Sequence, residues 1–118
     1  MTYQEKIKAS KEVYNAIQAM EGDDKLYIQY GTDKQYSTME IQDGRKKHSY
    51  TYVPNYYEIR CHTYGTNKSW SIYEKDVMLG RGMNVASLTK TTMTLYSYDL
   101  FKNKTTYRLP LYLTKLIS

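Results

Sequence analysis

Tyr56-Tyr57-Glu58-Ile59-Arg60-Cys61-His62-Thr63-Tyr64, followed at once by Gly65-Thr66-Asn67-Lys68, is the stretch that decides the fold. Tyr57, Ile59 and Cys61 fall on one side of a period of two, and Glu58, Arg60 and His62 on the other. That is the pattern of a half-buried strand. Gly65 then marks a turn, and Trp70–Tyr73 reads as the returning strand. The pentapeptide Tyr64-Gly65-Thr66-Asn67-Lys68 has a near copy in Tyr30-Gly31-Thr32-Asp33-Lys34. Tyr36, Ser37 and Glu40 follow the first copy just as Trp70, Ser71 and Glu74 follow the second, at an ungapped offset of 34 residues from Gly31 to Gly65. This repeat predicts a duplicated β-hairpin with a lysine at each tip and an aromatic opening each outgoing strand.

Strand signals continue on both sides. Lys25–Tyr30 and Tyr36–Gln42 flank the first copy. Asp43-Gly44 is a hairpin signal, because these residues suit the positive φ of tight hairpin turns. It sets Arg45, Lys46 and Lys47 at or just after a tip, with His48–Val53 as the strand that ends at Pro54-Asn55. Gly80-Arg81-Gly82 reads as a flexible loop with a lone arginine. Val85–Phe101, dominated by Thr, Tyr and Leu, reads as one long or bulged strand, and Lys102-Asn103-Lys104 turns it into Tyr107–Leu113. Pro110 cannot donate a ladder hydrogen bond, so this last strand is expected at a sheet edge.

Only the N-terminal segment departs from the period of two. Thr2 and Glu5 fit a capping box. Tyr3, Ile7, Ser10, Val13, Tyr14, Ile17 and Met20 then recur at helical spacing, and Gly22 is a natural stop. An amphipathic helix over 3–20 therefore precedes sheet over 25–113, and its apolar stripe is ordinary helix-on-sheet packing. The chain reads as a single α+β domain, 1–118. One helix packs on a twisted, mostly antiparallel sheet of about six or seven strands with duplicated hairpins.

Composition narrows the function classes. Tyrosine accounts for 15 residues against one phenylalanine and one tryptophan, which favours sheet with partly exposed aromatic faces. The formal charge is +5. Residues 1–24 carry Lys6, Lys8 and Lys11 against Glu5, Glu12, Glu21, Asp23 and Asp24, so the β portion holds all of the basic excess. Such a portion suits polyanions or acidic protein surfaces. A single cysteine, Cys61, points to a reducing cytoplasm, and no apolar run is long enough to span a bilayer, so no membrane partner is expected.

Catalytic arrangements are scarce. Cys61 and His62 are neighbours on a strand and so point to opposite faces. No second cysteine exists for zinc, and no glycine-rich phosphate loop is present, so no cofactor, metal or catalytic residue is expected. A metal-independent ribonuclease is the minor alternative, with His48 and His62 as acid and base and Arg60 and Arg81 as phosphate clamps. The recurring constellation is instead a cationic tip beside an aromatic. Lys34 goes with Tyr36, Lys68 with Trp70, Arg45, Lys46 and Lys47 with Tyr50 and Tyr52, and Lys102 and Lys104 with Tyr107. Cations for phosphates or carboxylates and rings for stacking serve both nucleic-acid and protein interfaces. Lys34, Tyr36, Arg45, Lys46, Lys47, Lys68, Trp70, Arg81, Lys102 and Lys104 are therefore the candidate partner-binding residues.

In general character (short, single-domain, without catalytic motifs) the chain resembles small phage-encoded inhibitors of bacterial defence such as anti-CRISPR proteins. Its basic balance departs from the acidic nucleic-acid mimics common among them. The resemblance implies a non-enzymatic binding protein of the host-cell cytoplasm, monomer or homodimer, that blocks a nucleoprotein or nuclease. Its partner would be an acidic protein surface or nucleoprotein, such as a CRISPR nuclease or its guide RNA. A direct RNA- or DNA-binding module is the alternative reading.

Overall fold

Thr2 sets the start of the helix. Its hydroxyl accepts the Glu5 N–H at 3.1 Å and donates to the Glu5 carboxylate at 3.1 Å, so one otherwise unpaired backbone donor is satisfied. The computed structural model describes residues 2–30, 37–52, 54–77 and 80–117. In it α1 runs Tyr3–Gln18, a little shorter than the apolar stripe suggests, with Ala19 as C-cap. Ser10, Val13 and Ile17 are its buried positions, and Met20 is buried just past its end. Among the described residues no helix is long and apolar enough to cross a membrane.

The strands are β1 (Lys25–Tyr30), β2 (Ser37–Asp43), β3 (Lys46–Tyr52), β4 (Tyr56–Tyr64), β5 (Asn67–Lys75), β6 (Gly82–Leu88), β7 (Thr92–Tyr98), β8 (Lys104–Pro110) and β9 (Thr114–Ile117). Seven form one curled antiparallel sheet in the order β8-β7-β6-β5-β4-β1-β9, while β2 and β3 form a separate pair. Alternation delivers the core. Ile28, Tyr57, Ile59, Cys61, Ile72, Met83, Met93, Leu95 and Leu109 are buried with Val13 and Ile17. β8 and β9 are adjacent in sequence yet hold opposite edges of the sheet. The link between them is a single-turn 3-10 helix, Leu111–Leu113, whose Leu111 is fully buried and donates its N–H to the Thr91 carbonyl at 2.9 Å. α1 packs against this turn and against β9.

Three features differ from the sequence reading. The run Val85–Phe101 is not one strand. It contains β6, β7 and a turn at Thr89-Lys90-Thr91 between them. The Thr89 hydroxyl accepts the Thr92 N–H at 3.0 Å, so a threonine side chain makes this turn without glycine or proline. Next, the last strand does not run through Leu113. β8 ends at Pro110 on a sheet edge, as the missing donor requires, and the chain then turns to form β9 on the other edge.

The third concerns the duplicated hairpin. The second copy is a true two-residue turn, with Tyr64 opposite Asn67 and Gly65 at φ +62. Glycine at that first central position is what a type II′ hairpin requires. The first copy, with Lys34 and Tyr36, lies outside the described residues. Its flanks nevertheless part company, since β1 and β2 belong to different sheets. The reason is that β4 and β9 take both edges of β1, which leaves none for β2. β2 pairs instead with β3 through the Asp43-Gly44 signal, with Gly44 at φ +60.

Candidate functional site

Residues paired across an antiparallel sheet share a face. Lys25 lies opposite Arg60, Arg60 opposite Ser71, Ser71 opposite Asn84, Asn84 opposite Tyr96, and Tyr96 opposite Thr106. This polar row crosses the sheet from β1 to β8, on the face away from Ile59, Ile72 and Leu95. The charged strand positions of that outer face are Lys25, Arg60, Lys75, Lys104, Arg108 and Lys115, with Glu58 as the sole carboxylate among them. The outer face thus carries a large excess of positive charge.

Glu58 explains how the cations are held. Its side chain is only 3% exposed, although it points away from the core. Lys25 Nζ stands 3.6 Å from one carboxylate oxygen, and Arg60 and Lys75 each stand 3.3 Å from the other. Burial works to raise the Glu58 carboxyl, but hydrogen bonds from Arg60 and Lys75 outweigh it and hold the group below its ordinary range. The Arg60 guanidinium is in turn raised by its hydrogen bond to Glu58, and it lies 4.3 Å from the centre of the Tyr73 ring. Tyr73 sits opposite Gly82, where any Cβ would come within 2.9 Å of the ring. Glycine at 82 therefore lets the ring lie flat on β6 and back the arginine.

Beside this cluster, His62 Nε2 and Ser71 Oγ are hydrogen-bonded at 2.8 Å, and Ser71 Oγ donates to the Tyr73 hydroxyl at 3.3 Å. Asp23, Lys25, Arg60, Cys61 and His62 line a cleft of about 250 Å³ at the start of β1. Arg60 Nε is buried there without a hydrogen-bond partner among the described residues. Among those residues no group of three or more His, Cys, Asp or Glu side chains is placed to hold a metal ion.

The residues expected from sequence are dispersed. Arg45, Lys46 and Lys47 are exposed at the β2–β3 tip, in the separate two-stranded sheet. Lys68 and Trp70 lie on the core side of β5, since Trp70 pairs with Cys61. Lys68 donates to the Gln18 carbonyl at 3.2 Å and so tethers the C-terminal end of α1. Arg81 is half-buried and tied to the fold. Its backbone N–H donates to Glu74, its Nε stands 3.4 Å from the same buried carboxylate, and its NH1 donates to the Tyr107 hydroxyl at 2.6 Å. Lys102 and Lys104 are exposed at the β7–β8 turn, with Lys104 4.9 Å from the Tyr96 ring centre. Of the ribonuclease set, Arg60 and His62 share the outer face, whereas His48 lies in β3 and Arg81 is tied to Glu74 and Tyr107.

Sequence reasoning missed Glu58, Lys25, Tyr73, Lys75, Arg108 and Lys115. Glu58 and Arg60 were visible as alternating partners. Lys25 and Lys75 join them only through strand register, which no local pattern reveals. Comparison with protein-family models, with curated proteins and with solved structures finds no match to this chain.

Proposed function

We propose that this is a non-enzymatic binding protein that occupies an anionic surface on a nucleoprotein or nuclease and acts by blocking it. The observation that carries this reading is the outer face of the sheet, where Lys25, Arg60, Lys75, Lys104, Arg108 and Lys115 oppose a single buried carboxylate. Charge of one sign on a rigid face steers and orients an oppositely charged partner. Direct binding of single-stranded nucleic acid is the second reading. Stacking needs open aromatic faces; Arg60 covers Tyr73 and Lys104 covers Tyr96, whereas Tyr27, Tyr64 and Tyr98 on the same face are exposed. The cations alone suit a partner offering carboxylates or backbone phosphates. In the form suggested by the chain's general character, the target is a guide-RNA-loaded nuclease of bacterial defence.

The test is titration of the protein, across a salt series, against a short single-stranded RNA and against a guide-loaded CRISPR nuclease. The proposal expects binding to the nucleoprotein, slower target cleavage, intact RNA, and loss of binding in an Arg108→Glu/Lys115→Glu variant. Unchanged binding by that variant would overturn the outer face as the docking surface. Tight binding of bare RNA would transfer the reading to a nucleic-acid module, and degradation of the RNA would replace both with an enzyme.

A further inference from the structure

Strand pairing places a second line of residues beside the polar row on the outer face. Ile117 lies opposite Tyr27, Tyr27 opposite Glu58, Glu58 opposite Tyr73, and Tyr73 opposite Gly82. Tyr98, two residues beyond Tyr96, continues that line on β7 and lies opposite Lys104 on β8. Tyrosines therefore recur along it on alternate strands of the sheet, β1, β5 and β7. From Tyr27 to Tyr98 is four strand spacings, about 19 Å.

The rings at the two ends are the open ones. Tyr27 is 37% exposed and Tyr98 58%. Each is braced by a tyrosine on its own face. Tyr56 packs edge-to-face with Tyr27 at 5.9 Å, and Tyr96 with Tyr98 at 5.8 Å. Such a pair leaves each ring at least one face that its partner does not cover. Between them the line ends in a cation, since the Arg60 guanidinium lies 4.3 Å from the Tyr73 ring centre. A guanidinium plane can itself take a base or a phosphate. Lys25 stands two residues from Tyr27 on β1, and Lys104 faces Tyr98. Asp23 and Asp99 lie in turns just off the strands, and Asp99 uses its carboxylate to accept the Phe101 and Asn103 N–H groups at 2.8 Å.

We propose that this line is a track for a single strand of nucleic acid, with unpaired bases on Tyr27 and Tyr98 and backbone phosphates on Lys25, Arg60 and Lys104. Spacing selects this occupant. A protein interface gathers its apolar anchors in one desolvated centre. Here the two open rings stand about 19 Å apart with cations between them. A single strand repeats base and phosphate along its length, and so meets rings and cations in alternation. A duplex keeps its bases stacked and leaves the rings unused. The inference rests on the outer-face reading for its cations, and it names what that face grips: an unpaired stretch of the nucleoprotein's RNA.

The experiment compares, by fluorescence anisotropy, the binding of labelled decauridylate and of an abasic decamer with the same phosphates and no bases. Wild type is expected to bind decauridylate roughly ten- to a hundredfold more tightly than the abasic chain. Tyr27→Ala/Tyr98→Ala should lose most of that preference with its salt slope unchanged, and Tyr27→Phe/Tyr98→Phe should keep it. Photo-cross-linking of wild type with a 5-iodouridine decamer needs no variant, and should attach the strand at Tyr27 and Tyr98. Equal binding of the two decamers overturns the proposal, as does a preference that survives in the alanine variant. Cross-links confined to other residues overturn it too. So does binding of uridine monophosphate, of a duplex, or of a peptide of alternating Glu and Phe as tight as that of decauridylate. Loss of nucleoprotein binding in Arg108→Glu/Lys115→Glu, together with equal binding of the two decamers, would overturn the track and leave the outer-face reading standing.

Discussion

Replacing Glu58 by glutamine keeps the shape of the side chain and removes its charge. Arg60 and Lys75, each 3.3 Å from one carboxylate oxygen, would then face a neutral amide, and Lys25 would lose its counter-charge. A hydrogen bond to a charged group is worth about 1.5–3 kcal/mol and a neutral one about 0.5–1.5, so two such exchanges cost about 2 kcal/mol. The three cations are between a third and roughly half exposed and rehydrate, which keeps the loss below that of breaking a fully buried pair. In urea denaturation, with a slope of about 1–3 kcal/mol per molar, the midpoint should fall by roughly 1–2 M.

The pH dependence follows from the same carboxylate. Its folded form holds a proton less tightly than its unfolded form, so its contribution is complete above the ordinary value of 4.5 and is lost as pH drops through the lower folded value. Wild type should therefore lose stability below that point more steeply than Glu58→Gln. Heparin retention should move the other way. With the one carboxylate at an outer-face strand position among the described residues neutralised, the variant should elute at higher salt than wild type although it is less stable. A midpoint shift below about 0.3 M, or parallel pH profiles, would refute the carboxylate's role as the clamp on three cations.

Gly80→Ala should be strongly destabilising, because a Cβ at Gly80 meets the Glu74 backbone carbonyl and comes within 2.9 Å of the Val77 side chain. Overpacking of this kind costs about 1–3 kcal/mol, read as a lowered urea midpoint. Lys68→Ala removes the tether to the Gln18 carbonyl at 3.2 Å and should cost about 0.5–1.5 kcal/mol. The same variant should lower heparin retention less than Arg108→Glu does, since Lys68, although exposed, lies on the face of β5 away from the outer-face cations.

The parts legible in the sequence are those written in local pattern. The Thr2 cap, the helical stripe, the alternation of Tyr56–Tyr64 and the glycine turns at Gly44 and Gly65 all depend on neighbours within a few residues. The break inside Val85–Phe101 was hidden because Thr89 makes its turn with a hydroxyl, which looks like any other strand threonine. Phe101 was read as a strand end for the same reason, though it sits at the apex of a turn organised by Asp99. Glu58 is the clearest case of information held only in register. On its own strand it is one more polar residue on the solvent side. Only the pairing of β4 with β1 and β5 brings Lys25 and Lys75 over it. Lys68 shows the converse, a lysine beside a tip whose position in the alternation turns it to the helix side, where it stays exposed but reaches the Gln18 carbonyl.

The placement of β9 has a consequence for how the chain is made. β1 is zipped on one side by β4 and on the other by β9, segments far apart in sequence. The hairpins β4–β5, β6–β7 and β7–β8 can each close locally, whereas β9 must span almost the whole chain, so it should dock last. Until Thr114–Ile117 arrives, Tyr27–Tyr30 presents an unpaired strand edge that any other nascent copy could capture. Mutual repulsion between basic copies then guards the chain through the interval in which it is most prone to aggregate.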